Sequence, residues 1–216
     1  SMQEKFKMMQ EYGWQSVSDP VEFTFGPFIV KEWLPRGPDG IVFAMIERVQ
    51  PPLEGWPNLR EMSRLFNATQ VVADIEAAKD FYINKLGFKI YLEHKGASSK
   101  EGPNVLGLPY NLTTKIDREV YILHPTGVNE GSVEILSFDG AIGRDFSALA
   151  VPPNLGILML RFPVYDIDKI HQLSIDENIE VIFPPMKVEL DPYGEIDLMA
   201  VKGPGGVWLE FYESTN

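Results

Sequence analysis

A strand-helix-strand-strand-strand unit, written twice in full and once in part, limits what this chain can fold into. The clearest copy runs from Asn154 to Glu213. Leu155, Ile157, Leu158 and Leu160 open an apolar run that ends at Val164. Asp166 is placed to cap a helix with Ile167, Ile170 and Leu173 on one face, because a short carboxylate satisfies the first free backbone amides. Asn178 stands where a left-handed residue ends that helix. Extended segments follow at Glu180–Met186, Ile196–Lys202 and Val207–Tyr212, the last two separated by the turn Gly203-Pro204-Gly205-Gly206.

The pattern recurs upstream, and internal repeats decide the fold before any single element does. A second copy begins at Asn67–Ala73, caps at Asp74 and carries Ala78, Phe81, Tyr82 and Leu86 along its helix. Gly87 takes the place of Asn178, and Phe88–Leu92, Glu119–Leu123 and Val133–Phe138 supply the later strands. A partial copy has its helix at Gln3–Tyr12, a strand at Gly13–Val17, the turn Gly37-Pro38-Asp39-Gly40 and a last strand at Ile41–Ile46. Counting back from Gly13 leaves no room for its opening strand. Residues 3–49, 61–139 and 154–213 are therefore read as one partial and two complete modules, the last two as one paired domain. Pro51, Pro52, Gly55 and Pro57 mark a linker to about Arg60. Residues 140–153 form a second linker, with a short helix near Phe146–Leu149. The connection Ala97–Lys115 is long enough to be either a lid or a padded surface loop. Ser214–Asn216 are expected to fray, and Ser1-Met2 reads as a cleavage remnant ahead of a native methionine.

Composition narrows function by exclusion. With 31 acidic against 19 basic residues, a net charge of −12 and no Lys/Arg cluster, nucleic acid and anionic membranes are poor partners. The chain of 216 residues has no cysteine, which removes disulfides, thiolate ligands and a thiol nucleophile. No apolar stretch reaches spanning length, and the start lacks a signal-peptide layout, so the cytoplasm is expected.

The motifs Val72-Ala73-Asp74-Ile75-Glu76, Phe81-Tyr82, Leu86-Gly87-Phe88, Val164-Tyr165-Asp166-Ile167-Asp168 and Gly203-Pro204-Gly205-Gly206-Val207-Trp208-Leu209-Glu210 carry a resemblance. The chain resembles the vicinal oxygen chelate superfamily: glyoxalase I, bleomycin- and fosfomycin-resistance proteins and extradiol dioxygenases. The resemblance implies an α+β fold of repeated βαβββ modules whose curved mixed sheets pair to form a cleft. It also implies metal ligands on the first and last strands of each module. The first-strand position, seven residues before the capping aspartate, is Asn67 in one module and Met159 in the other. The last-strand positions are Glu134 and Glu210, and Ala44 in the partial copy. An amide and a thioether are poor ligands for a hard divalent ion, and the histidine set of an extradiol iron centre is missing. His94, His124 and His171 fall off the ligand positions; His124, before Pro125, reads as a turn histidine or one pointing into the cleft.

Strand alternation puts Met159, Arg161 and Tyr165 on one face and Leu160, Phe162 and Val164 on the other. The apolar face belongs against the helix, so Arg161 is expected in the cleft. Trp208, Glu210 and Tyr212 point the same way, and Asn67 and Thr69 line the cleft from the other module. In this family Arg161 and Glu210 lie on neighbouring strands. Either Arg161 clamps a substrate acid group with Glu210 behind it, or the two simply neutralise each other. Three functions stay open. One is a lyase, isomerase or dioxygenase acting on a small carbonyl, enol or phenol, with one divalent metal between Glu134 and Glu210 as the catalytic pair. Another is a metal-free binder of an apolar acid that uses Arg161, Tyr165, Trp208 and Tyr212. The third is an interaction module, such as a homodimer, completed at an open sheet edge.

Overall fold

The structure, a computed structural model, describes residues 1–55, 62–141 and 143–214. The chain is α+β and divides into two compact units. One comprises Ser1–Phe66, His94–Val120 and Phe138–Ala141; the other comprises Asn67–Glu93, Tyr121–Ser137 and Ile142–Asn216.

In the first unit, helix α1 (Met2–Glu11) precedes an antiparallel meander of β1 (Val21–Phe25), β2 (Phe28–Trp33) and β3 (Met45–Gln50). Met2, Phe6 and Met9 recur on one face of α1 and bury against Trp33, which is fully enclosed; Phe6 meets its ring edge-on at 4.9 Å. The Met2 amide donates to Glu47 Oε2 at 2.8 Å, which ties the helix start to β3. Two expectations shift here. The segment Gly13–Val17 makes only a bridge, Gln15 with Arg36, and the last strand begins at Met45 rather than Ile41. The cause is local. The turn after Gly37 is closed by amide bonds from Gly37 to Ile41 and from Gly40 to Gly37. Pro35 then accepts from Phe43 but has no amide to return, so the ladder cannot propagate.

The long connection packs within the same unit. Val105 and Thr113 are buried, and Asn104 brackets Leu108 by donating to its carbonyl at 2.7 Å and accepting from its amide at 3.0 Å. The linker reading reaches into 56–61 and the expected fraying into 215–216, and both stretches lie outside the described residues.

The second unit carries the two complete βαβββ runs. The first consists of β4 (Asn67–Val71), α2 (Ile75–Lys79), β5 (Lys89–Gly96), β6 (Arg118–His124) and β7 (Ser132–Phe138), ordered β4-β7-β6-β5. The far ends of β5 and β6 group with the first unit. The second run consists of β8 (Met159–Pro163), α3 (Ile167–Asp176), β9 (Val181–Leu190), β10 (Gly194–Lys202) and β11 (Trp208–Ser214), ordered β8-β11-β10-β9. In each sheet the opening strand pairs parallel to the closing one. Asp74 accepts from the Ala77 amide at 2.9 Å and Asp166 from the Lys169 amide at 3.0 Å, so both carboxylates cap the first helical turn. Gly87 and Asn178 close the helices at positive φ, +72° and +52°. The helices nevertheless differ, since α2 widens into a π-helical turn over Asp80–Lys85 whereas α3 stays regular.

One apolar cluster joins both runs. Val72, Ala78, Tyr82, Leu123 and Ile135 belong to it, as do Phe162, Ile167, Met199 and Leu209. Phe88 and Phe162 meet edge-on at 5.6 Å within it. Each large side chain so enclosed contributes about 1.5–3 kcal/mol. The expected short helix near Phe146–Leu149 is a 3-10 turn at Ser147–Leu149, and it abuts the turn Pro204–Gly206. A methyl group on Gly206 would be driven into the Ser147 carbonyl, and its φ is +82°. Gly206→Ala is therefore expected to cost about 3 kcal/mol. Gly205→Ala, at φ +67° with open space around it, should cost about 1 kcal/mol. Urea denaturation of the two variants checks this; equal midpoints would contradict the contact.

Candidate functional site

The parallel pairing of β8 with β11 sets Arg161 directly opposite Glu210. Leu160 and Phe162 pack toward the core cluster, so alternation turns Arg161 to the other face of the sheet. There its Nε and Nη2 both donate to Glu210 Oε2, at 2.8 and 2.6 Å. The carboxylate is the more enclosed partner, with 7% of its side chain exposed against 26% for Arg161. A carboxylate so deep requires such a partner, because removing either charge alone costs about 3–5 kcal/mol in a fully buried pair. Trp208 lies opposite Met159 and Tyr212 opposite Pro163; both aromatic residues are half-buried.

A residue absent from the sequence reading completes this cluster. Tyr193, in the turn between β9 and β10, holds its ring 5.5 Å from the Arg161 guanidinium and 4.8 Å from the ring of Tyr212. Alternation could not find it, because it sits in a turn rather than on a strand. The faint signal is a large aromatic directly before Gly194, whose φ of +73° closes that turn. Tyr165, by contrast, does not line the cleft. It is fully exposed, because β8 ends at Pro163 and alternation lapses beyond it.

The equivalent rung of the other sheet holds Thr69 opposite Glu134. The Thr69 hydroxyl donates to Glu134 Oε1 at 3.3 Å, and Asn67 lies opposite Ser132, two rungs away. Burial pushes the Glu134 carboxyl above its ordinary range, and only the Thr69 hydroxyl opposes that. Of the expected trio, Arg161 pairs with Glu210 on one sheet, and Glu134 bonds Thr69 on the other. His124 stays in its own turn, where Nδ1 accepts from the Thr126 amide at 3.1 Å. A cavity of about 160 Å³ lies elsewhere in this unit, along β4 and against Ile157, Leu160 and Val207; of the expected site residues only Thr69 reaches it.

Donor chemistry decides how well a divalent metal fits. Glu210 Oε2 is already taken by a guanidinium, whose positive charge opposes a dication beside it. The first-strand positions offer an amide and a thioether, and among the described residues no three His, Cys, Asp or Glu side chains converge. The expected metal between Glu134 and Glu210 does not fit this arrangement.

Fold and strand-end geometry define a repeated-βαβββ protein, and the comparisons agree. The sequence profile of the Glyoxalase/Bleomycin resistance protein/Dioxygenase superfamily matches residues 64–211. The chain belongs to that superfamily. A glyoxalase I mutant from Zea mays superposes with a TM-score of 0.61 at 14% identity, covering 100% of this chain and 64% of that one. A glyoxalase family protein from Bacillus cereus superposes with a TM-score of 0.55 at 18% identity, covering 73% and 97%. Identities this low speak for the fold alone, and the chain spans less than two thirds of the maize protein. No curated protein matches the sequence. No helix among the described residues is long and apolar enough to cross a membrane.

The raised Glu134 carboxyl predicts a pH effect. The folded state holds the proton more tightly than the unfolded chain, whose glutamates titrate near about 4.3. Stability is therefore full below that pH and falls as pH rises through the raised folded value. Glu134→Gln keeps an acceptor for Thr69 without the charge. Its melting temperature relative to wild type should rise between pH 4 and pH 7; a constant difference would refute the assignment.

Proposed function

We propose that this protein binds a small apolar acid without a metal, and that Arg161 takes the acid group. The observation that carries this reading is the Arg161–Glu210 pair at the rung where the superfamily is expected to place a metal ligand. Glu210 orients the guanidinium through one edge, and the half-buried rings of Trp208 and Tyr212 supply apolar surface beside it. A guanidinium suits a carboxylate because its N–H groups match the two oxygens in spacing and plane. Asn67 and Thr69 belong to the other sheet's rung and serve this reading only as a polar neighbourhood of Glu134. Equilibrium dialysis of 2-naphthoate against the whole chain in excess EDTA tests the proposal. Binding that survives EDTA and falls at least about tenfold in Arg161→Met, as loss of a charge-assisted bond of about 1.5–3 kcal/mol requires, supports it. Binding that EDTA abolishes, or that Arg161→Met leaves intact, overturns it.

A second reading has its own observation. Glu134 is held toward its protonated form by burial, and a carboxyl tuned upward suits proton transfer in a lyase or isomerase acting on a carbonyl or enol. On that reading Glu134 moves the proton while Glu210 remains Arg161's partner. Proton NMR of 2-oxobutanoate in D2O reads it out. Wild type in EDTA should exchange the C3 hydrogens faster than buffer, and Glu134→Gln should not. Exchange at the buffer rate in both would remove this reading.

A further inference from the structure

We infer that Tyr193 selects flat, conjugated acids (aryl or enol carboxylates) over saturated acids of the same size at Arg161. This rests on the acid-binding reading above and extends it to a ligand class. A guanidinium carries five N–H donors in one plane. Glu210 Oε2 accepts one from Nε and one from Nη2. Three donors remain; the second on Nη2 and one on Nη1 form the end-on edge of the fork, and the other on Nη1 points back along the side chain. That edge has the spacing of a carboxylate. An incoming acid group can therefore pair in the guanidinium plane without displacing Glu210.

Approach from above that plane is limited. The Tyr193 ring lies over the guanidinium, 5.5 Å from its carbon, a distance at which ring and cation attract. Tyr212 meets Tyr193 at 4.8 Å with the ring planes 53° apart, so the two rings make an angled aromatic wall beside the cation. The wall remains accessible, with Tyr193 38% exposed and Tyr212 half-buried. It is also held in place. The Tyr193 amide donates to the Leu190 carbonyl at 2.7 Å, and Gly194 closes the turn. A ligand whose conjugated system is coplanar with its carboxylate presents a π-face to such a wall when the carboxylate is paired edge-on. A saturated ring is puckered and has no π-face to offer. Ring-on-ring contact adds to area burial, so the preference should be a few-fold to about tenfold.

The test compares 2-naphthoate with decahydro-2-naphthoate, which have the same charge and nearly the same size, by isothermal titration calorimetry on the whole chain in EDTA. Wild type should bind 2-naphthoate about fivefold more tightly or better. Tyr193→Leu should bring the two acids to equal affinity while both still bind, and Tyr193→Phe should keep the preference. Arg161→Met should weaken both acids alike. If both acids bind wild type through Arg161 without preference, the ligand class is wrong; if Tyr193→Leu keeps the preference, Tyr193 is not the selector; in either case the inference fails and the acid-binding reading stands. If neither acid binds wild type, both fall together.

Discussion

A carboxylate on the closing strand of each sheet, buried at Glu210 and half-buried at Glu134, is the constraint from which the site follows. Parallel pairing of the opening and closing strands fixes which residue faces it, with no loop or side-chain choice in between. At Glu210 the opposite residue is Arg161, and the charge is matched at 2.6 Å. At Glu134 it is Thr69, which offers one hydroxyl at 3.3 Å and no charge. The same rung therefore yields an ion pair in one sheet and a carboxyl held toward its neutral form in the other. Two modules built on one plan differ in chemistry through a single position on the opening strand.

That difference bears on metal binding more directly than the loss of histidines does. A carboxylate available to a dication must not already be committed to a cation, and Glu210 is committed through two N–H donors to one oxygen. Were Arg161 a neutral residue, Glu210 would stand as open to a ligand as Glu134 does. At this rung the guanidinium supplies Glu210 with a positive charge, and it brings directional donors that a metal ion lacks.

Much of this architecture was legible because it rests on local rules. Asp74 and Asp166 could be read as caps, Gly87 and Asn178 as helix ends, and Arg161 with Glu210 as neighbours on one face. Each depends on a few adjacent residues and a fixed period. The misread features depend on what happens where a period stops. Tyr165 was carried along an alternation that Pro163 had already ended. The strand expected from Ile41 waits until Met45, because Pro35 cannot return the bond that Phe43 makes to it. The π-helical turn at Asp80–Lys85 leaves no mark in the apolar spacing that also fits a regular helix.

Tyr193 belongs to a different category, because its neighbours come from two other strands. Its ring reaches Arg161 of β8 and Tyr212 of β11 from the turn beyond β9, so no window of sequence contains the cluster. Strands fix where the charges sit, since register leaves them no freedom. Turns fix what surrounds those charges, and turns carry side chains that no alternation rule governs. A site built this way can keep the Arg161–Glu210 pair while changes in one short hairpin connection alter what surrounds the pair. On the proposed acid-binding reading, affinity for the acid group follows from β8 and β11, and discrimination between acids from the residue before Gly194.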